Sequence, residues 1–145
     1  MARFLPGASS AIQYDIQGGT DGTQPTFTGS PLFYAEYIRV GSMVSFDIQV
    51  DFDNIDSFGS GQYYLTLPFN AKNATTFRGG CLHDIGGNQY AISGHVNAGS
   101  NQLMLFSTDK SGNSVIDIEF TSNSPVALST EDNFHIAGTY IAEAL

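Results

Sequence analysis

The chain has 145 residues, a net charge of −9 and a single cysteine. That length is enough for one domain with its own core, and one cysteine excludes an intrachain disulfide. Only five basic residues are present, and they are scattered, so the chain lacks the cationic surface that nucleic acid or anionic lipid requires. No apolar run reaches the ~18 residues of a membrane helix, and the N-terminal run is too short for a secretion signal. We therefore expect a soluble protein without nucleic-acid or membrane partners.

Short runs of alternating, β-branched and aromatic residues recur along the chain, separated by clusters of Gly, Ser, Asn and Asp. The predicted strands lie, in chain order, within residues 12–17, 32–40, 43–52, 62–69, 75–85, 89–96, 102–108, 114–120 and 133–142. Eight or nine short strands without a long helix predict an all-β fold, either an antiparallel β-sandwich or a jelly roll.

The remaining segments predict how the domain is bounded. Residues 1–11 are expected to form an extended N-terminal arm, and residues 12–145 a single β-sandwich domain. Residues 18–31 are rich in turn formers and predict a long loop. The only helical signal is at residues 128–134, where Ser129 or its neighbour is placed to cap one turn.

The strand predicted over residues 43–52 carries several carboxylates. Apolar residues at every second position alternate with polar ones, so the polar positions share the opposite face. Asp47 and Asp51 are separated by ~13 Å along an extended chain, too far to share one ion. Asp53 and Asp56, with carbonyl groups of the following turn, are weak candidates for a calcium site. A solvated strand face is the favoured interpretation.

Cys81 and His83 point the same way on a predicted strand, as a nucleophile and base or as two metal ligands would. A zinc site needs a third ligand, and His95 and His135 lie on other predicted strands. We therefore interpret Cys81 as a small apolar filler of the core. Because no catalytic or cofactor-binding constellation is present, the sequence predicts a protein that is not an enzyme and carries no cofactor.

The last predicted strand is apolar in both registers, which is typical of a strand at the centre of a large sandwich or at a subunit seam. Phe134, Ile136 and Tyr140 lie in one register, and Ile141 lies in the other. We take these four residues as a candidate seam between subunits.

Three stretches in order resemble a known family. Residues 37–48, YIRVGSMVSFDI, resemble the Y-x-K/R-x-G-x-x-V-x-F-x-I pattern of bacteriophage structural β-domains. Residues 61–69, GQYYLTLPF, resemble the G-x-x-x-I-x-L-P-F segment that follows it, and residues 134–140, FHIAGTY, are similar to the closing F-x-I-S-G-T-Y strand. These domains occur at fibre tips and on other virion surface proteins of marine and cyanobacterial phages. The resemblance implies a β-sandwich, commonly a homotrimer, made in the bacterial cytoplasm and displayed on a virion without catalytic residues.

Within that family, we expect a capsid decoration (cement) protein, because the first predicted strand follows the N-terminus without a tail-binding domain or rod. Its partners are then other copies of itself and the major capsid protein or another virion protein. The four candidate seam residues, Phe134, Ile136, Tyr140 and Ile141, are then expected to form the contact between the subunits of a trimer. The residues expected to dock the arm on the capsid are Arg3, Phe4, Leu5 and Pro6.

The alternative is a receptor-binding knob of a head or tail fibre. That interpretation predicts contacts with a host glycan or protein through loops. The candidate receptor residues are Tyr63, Asn88, Tyr90 and Asn97.

Overall fold

The computed structural model describes residues 11–111 and 114–145 of the chain, and these residues form twelve strands and no helix. The strands are β1 (Ile12–Gln13), β2 (Gly18–Thr20), β3 (Thr26–Phe27), β4 (Leu32–Val40), β5 (Met43–Asp51), β6 (Ile55–Ser57), β7 (Tyr63–Thr66), β8 (Thr75–His83), β9 (Gln89–Val96), β10 (Gln102–Ser111), β11 (Ser114–Glu119) and β12 (Asn133–Ile141). The described part of the chain contains no helix with the length and hydropathy that a bilayer span requires.

Ten of the strands form one antiparallel sheet in the order β1-β4-β5-β12-β8-β9-β10-β7-β2, with β11 paired to β10, while β3 and β6 form a separate pair. The sheet curls until its two ends meet. A single run, residues 12–20, pairs with β4 at one end and with β7 at the other. The predicted all-β, antiparallel, sandwich-like fold is confirmed.

All nine predicted strand segments contain strands, but two local predictions were wrong. The segment predicted as a long loop, residues 18–31, contains β2 and β3. A Cβ added at Gly18 would lie 3.1 Å from Leu65 Cδ2 and 3.3 Å from the Phe33 ring, so the glycine leaves room for these two side chains. The predicted helical turn is a β-turn instead, in which Asp132 N donates to Ser129 O at 3.1 Å.

The hairpin of β4 and β5 shows how the alternating sequence is used. Val44, Phe46 and Ile48 are buried, whereas the polar residues between them are exposed. The two strands are joined by a two-residue turn in which Gly41 has φ +60°. A glycine at the first central position is what a type II′ hairpin turn requires. The carboxylate-rich stretch is therefore a strand with a solvated face, as expected.

Two aromatic clusters fill the interior between the curled halves of the sheet. Phe46 packs edge-on against Phe77 at a centroid distance of 5.0 Å, and Phe120 packs edge-on against Phe134 at 5.4 Å. Gly138 lies beside the first cluster, where an added Cβ would be 2.3 Å from the Phe77 ring. The glycine of the closing strand is thus required by the packing of an aromatic ring.

Buried tyrosines make the fold sensitive to alkaline pH. Burial raises the pKa of Tyr140 to about 12, and it also raises the pKa values of Tyr14 and Tyr63. In the unfolded chain these phenols ionise near pH 10, while in the folded chain they keep their protons to higher pH. The unfolded state therefore binds fewer protons above pH 10, and stability falls as the pH rises from about 10 towards 12. Urea unfolding at pH 8, 10 and 11 should show this loss, and Tyr140→Phe should reduce its dependence on pH.

Candidate functional site: the outer face of the sheet

One face of β4, β5, β12 and β8 points away from the core, and we call it the outer face. Residues opposite each other in antiparallel strands share a face, so the registers place the outward side chains in rows across the strands. The rows, from the start of β4 to its end, are Leu32, Asp51, Asn133 and His83; Tyr34, Gln49, His135 and Cys81; Glu36, Asp47, Ala137 and Gly79; Ile38, Ser45 and Thr139; and Val40, Met43 and Ile141.

The last two rows carry a contiguous group of exposed aliphatic side chains. Val40 is 61% exposed, Met43 49%, Ile141 42% and Ile38 39%. We call these four residues the apolar end of the outer face. Single exposed apolar residues are ordinary, but neighbours in register across three strands are typical of an association surface.

The polar groups within the apolar end bond to each other. The hydroxyls of Ser45 and Thr139 are neighbours on β5 and β12 and form a hydrogen bond of 2.8 Å. Covering this surface would therefore leave neither hydroxyl without a partner, which removes the main cost of burying polar atoms. The patch is suited to exclusion of water.

The first two rows form a different surface, a shallow groove of about 590 Å³, which we call the polar groove. Tyr34 is 47% exposed at its margin. His135 stacks on His83 with ring centroids 5.6 Å apart and planes inclined by 25°. The residues lining the groove are Leu32, Phe33, Tyr34, Gln49, Val50, Asp51, Asn133, Phe134 and His135.

The structure assigns the candidate seam residues to two different places. Phe134, Ile136 and Tyr140 are at most 3% exposed and belong to the core of the single chain. They have no surface to offer another subunit, so the predicted seam cannot involve them. Of the four, only Ile141 is exposed, because it lies in the outward register of β12 and forms part of the apolar end.

The candidate calcium residues have separate partners. Asp53 is exposed, its backbone N donates to Asp51 Oδ1 at 3.0 Å, and the charge of Asp51 raises the pKa of Asp53. Asp56 accepts a hydrogen bond from the hydroxyl of Thr28. No group of three or more His, Cys, Asp or Glu side chains is placed to hold a metal ion within residues 11–111 and 114–145.

Cys81 is not a core residue, contrary to the interpretation from its sequence. It is half-buried on the outer face, directly opposite His135, while the adjacent Leu82 is the fully buried residue of the strand. The register of β8 places Cys81 on the outer face. The sequence did not reveal this register, because the glycines at positions 79 and 80 interrupt the alternation of polar and apolar residues. His83 lies on the same face as Cys81 and stacks on His135.

The four candidate receptor residues do not form one surface. Tyr63 is buried, and its hydroxyl donates to a backbone carbonyl at 2.6 Å. Asn88 and Tyr90 lie together at the turn between β8 and β9, where both bond to Asp84 and the bonds from Asn88 lower the pKa of its carboxyl. Asn97 follows the other end of β9, roughly 25 Å away along the strand.

The arm residues Arg3, Phe4, Leu5 and Pro6 lie outside the described residues. Comparisons of the chain with protein-family models, with curated proteins and with solved structures find no match. Among the described residues, the outer face with its apolar end and its polar groove is the candidate functional surface.

Proposed function

We propose that this chain is a non-enzymatic structural protein of a bacteriophage virion, a homotrimeric capsid decoration protein that self-associates through the apolar end of the outer face. The proposal of self-association rests on the exposed apolar side chains in the last two rows of the outer face. The virion assignment is supported by the ordered resemblance of residues 37–48, 61–69 and 134–140 to phage structural β-domains. The protein is then made in the bacterial cytoplasm and displayed on the virion surface.

The size of the apolar end predicts weak association in solution. Its four side chains are about half exposed, so covering them contributes roughly 1 kcal/mol each, or ~4 kcal/mol together. Association costs about 4–15 kcal/mol in lost freedom. A contact between two copies buries the apolar end of each, roughly 8 kcal/mol in all, which exceeds only the lower part of that cost. The apolar end alone therefore supports weak association that depends on protein concentration, and a stable trimer needs further contacts.

The capsid supplies such contacts in the proposed function. Residues Arg3, Phe4, Leu5 and Pro6 are proposed to dock on a capsid protein, which fixes neighbouring copies side by side. Copies held in this way meet at a high effective concentration, so the weak contacts between their outer faces are sufficient to hold a trimer together on the capsid. Binding only to the assembled shell stabilises the shell by mass action.

This proposal is tested by co-sedimentation of the purified chain with capsids that lack it. We expect binding that saturates at a fixed ratio in multiples of three, and a solution mass that rises with protein concentration. A variant without residues 1–10 should lose capsid binding and keep its melting temperature. If the full chain does not bind capsids, the decoration role is contradicted. If the shortened chain binds capsids as fully as the parent does, the arm is not the docking segment.

The polar groove favours a second function, that of a receptor-binding knob. A concave surface with an exposed aromatic ring and several polar groups fits a ligand better than it fits a flat capsid contact. The site for that function would then be the groove, rather than the loops around Asn88 and Asn97. Host-cell adsorption by the purified chain distinguishes this function from decoration.

A further inference from the structure

The polar groove combines the features of a site for a small uncharged polar ligand. Its volume of about 590 Å³ lies within the range of ligand sites, about 300–1,000 Å³. It is built where the start of β4, the end of β5 and the start of β12 lie side by side. All three strands belong to the paired sheet, so the site is carried by a rigid scaffold.

Several polar side chains in the groove have unused hydrogen-bonding groups. The side chains of Gln49, Asn133 and His135 have no hydrogen-bond partner among the described residues, and the Asp51 side chain accepts from Asp53 N through Oδ1. Asn133 lies directly opposite Asp51, with Cβ atoms ~5 Å apart. Amides donate and accept, and a carboxylate accepts, so this pair complements adjacent hydroxyls, each of which also donates and accepts.

The groove also offers an apolar contact beside those polar groups. Tyr34 and Leu32 are 47% and 44% exposed, and they flank the polar side chains on the β4 side. The tyrosine hydroxyl accepts from Gln13 Nε2 at 3.3 Å and donates to Glu36 Oε2 at 3.5 Å. An exposed aromatic ring next to an aliphatic side chain suits the C–H face of a sugar ring, which is apolar although its rim is polar.

The charges around the groove select against anions. Asp51 lies within it, and Glu36 and Asp47 occupy the next row of the same face. Asp53 follows two residues after Asp51 and adds another carboxylate at this end of the sheet, where the charge of Asp51 raises the pKa of Asp53. A sulfated, phosphorylated or sialylated ligand would meet like charge, whereas an uncharged one would not.

The backbone at the groove disfavours an extended peptide. β5 pairs with β4 and β12, and β12 pairs with β5 and β8, so neither strand has a free edge in the groove. Among the described residues the start of β4 pairs only with β5, so a strand could be added there only beyond β4, outside the groove. Strand addition, the usual mode in which a peptide joins a sheet, is not available between them. Taken together, the geometry points to a binding site for a neutral saccharide in the polar groove, contacted by Tyr34, Asp51 and Asn133.

This site is separate from the proposed self-association surface. The nearest members of the two surfaces on β4, Tyr34 and Ile38, are four residues apart, which is ~13 Å along the strand. Occupation of one surface leaves the other open. The inference therefore does not rest on the decoration function, and a substitution in the groove tests it alone.

The test is a titration of the ¹⁵N-labelled full chain with three neutral probes, maltotriose, cellotriose and triacetylchitotriose, followed by amide chemical shifts. We expect at least one probe to shift amides of residues 32–34, 49–51 and 133–135 in a saturable way. Tyr34→Ala and Asn133→Ala should each weaken that binding by about tenfold or more. Ile38→Ala is the matched control on the same face and should leave binding unchanged.

Two results would overturn the inference. One is the absence of saturable shifts in the groove with all three probes. The other is equal binding of 3′-sialyllactose, which carries a carboxylate and would contradict the selection against anions. Tyr34→Ala should bind capsids and self-associate as the parent does, because Tyr34 lies outside the apolar end. Loss of saccharide binding and loss of capsid binding are therefore measured separately, so either proposal can fail without the other.

Discussion

Val40→Glu is expected to abolish self-association while leaving the fold intact. Val40 is the most exposed member of the apolar end, so the new carboxylate meets water in the single chain and causes little destabilisation, within ~0.5 kcal/mol. In an assembly it would be buried in a row whose other members, Met43 and Ile141, are apolar. An uncompensated buried charge should weaken association by roughly 100-fold or more, equivalent to ~3 kcal/mol.

Sedimentation equilibrium over a wide range of protein concentration measures this effect. Gln102→Glu is the matched control, because it adds the same charge at an exposed position on β10, away from the apolar end. Met43→Glu should behave like Val40→Glu, since the two residues face each other across the hairpin. A parent chain that stays monomeric at high concentration, or a Val40→Glu variant with the parent's mass, would contradict the proposed surface.

The apolar end shows what a local pattern reveals and what it leaves open. Alternation correctly predicted that Val44, Phe46 and Ile48 face the core. The same alternation contained the signal of Met43, an apolar residue in the polar register of β5, but that signal is weak next to a turn. Val40 lies on β4, where the outward register is itself mostly apolar. For β12, both registers are apolar, and the choice between them depends on which strands lie on either side. The sequence pattern alone therefore could not separate Ile141 from the core residues.

The polar groove could not be predicted from sequence for a topological reason. Its residues come from three segments, 32–34, 49–51 and 133–135, and the third reaches the others only because β12 inserts between β5 and β8. Nothing in the pattern of the last strand specifies that position. The candidate receptor residues do not come together either, because Asn88 and Asn97 lie beyond opposite ends of β9 and Tyr63 points into the core.

Asp132→Ala is expected to cause a large loss of stability. The side chain is only 1% exposed, and its carboxylate accepts from Ile85 N at 2.9 Å and from Ser129 N at 2.7 Å. Its carbonyl also accepts from Phe52 N at 3.2 Å. One residue thus ties the end of β5 and the segment after β8 to the turn before β12.

Removing the carboxylate leaves two backbone N–H groups without their acceptor, at about 1–3 kcal/mol each. The free energy of unfolding should fall by ~3–5 kcal/mol, a large share of the ~5–15 kcal/mol of a typical domain. Asp132→Asn should lie between Asp132→Ala and the parent, because one of its two acceptors becomes a donor. Glu131→Ala, at the exposed neighbouring position, is the control and should change stability by less than ~0.5 kcal/mol.

The turn that contains Asp132 also positions a residue of the polar groove. Asn133 follows Asp132 directly and is the first residue of β12, so the turn fixes where the Asn133 amide stands opposite Asp51. Asp132→Asn, if it remains folded, should therefore weaken saccharide binding through the position of its neighbour without touching the ligand. An Asp132→Ala variant within ~1 kcal/mol of the parent would mean that water replaces the carboxylate at both N–H groups, and that the turn is held by packing rather than by this residue.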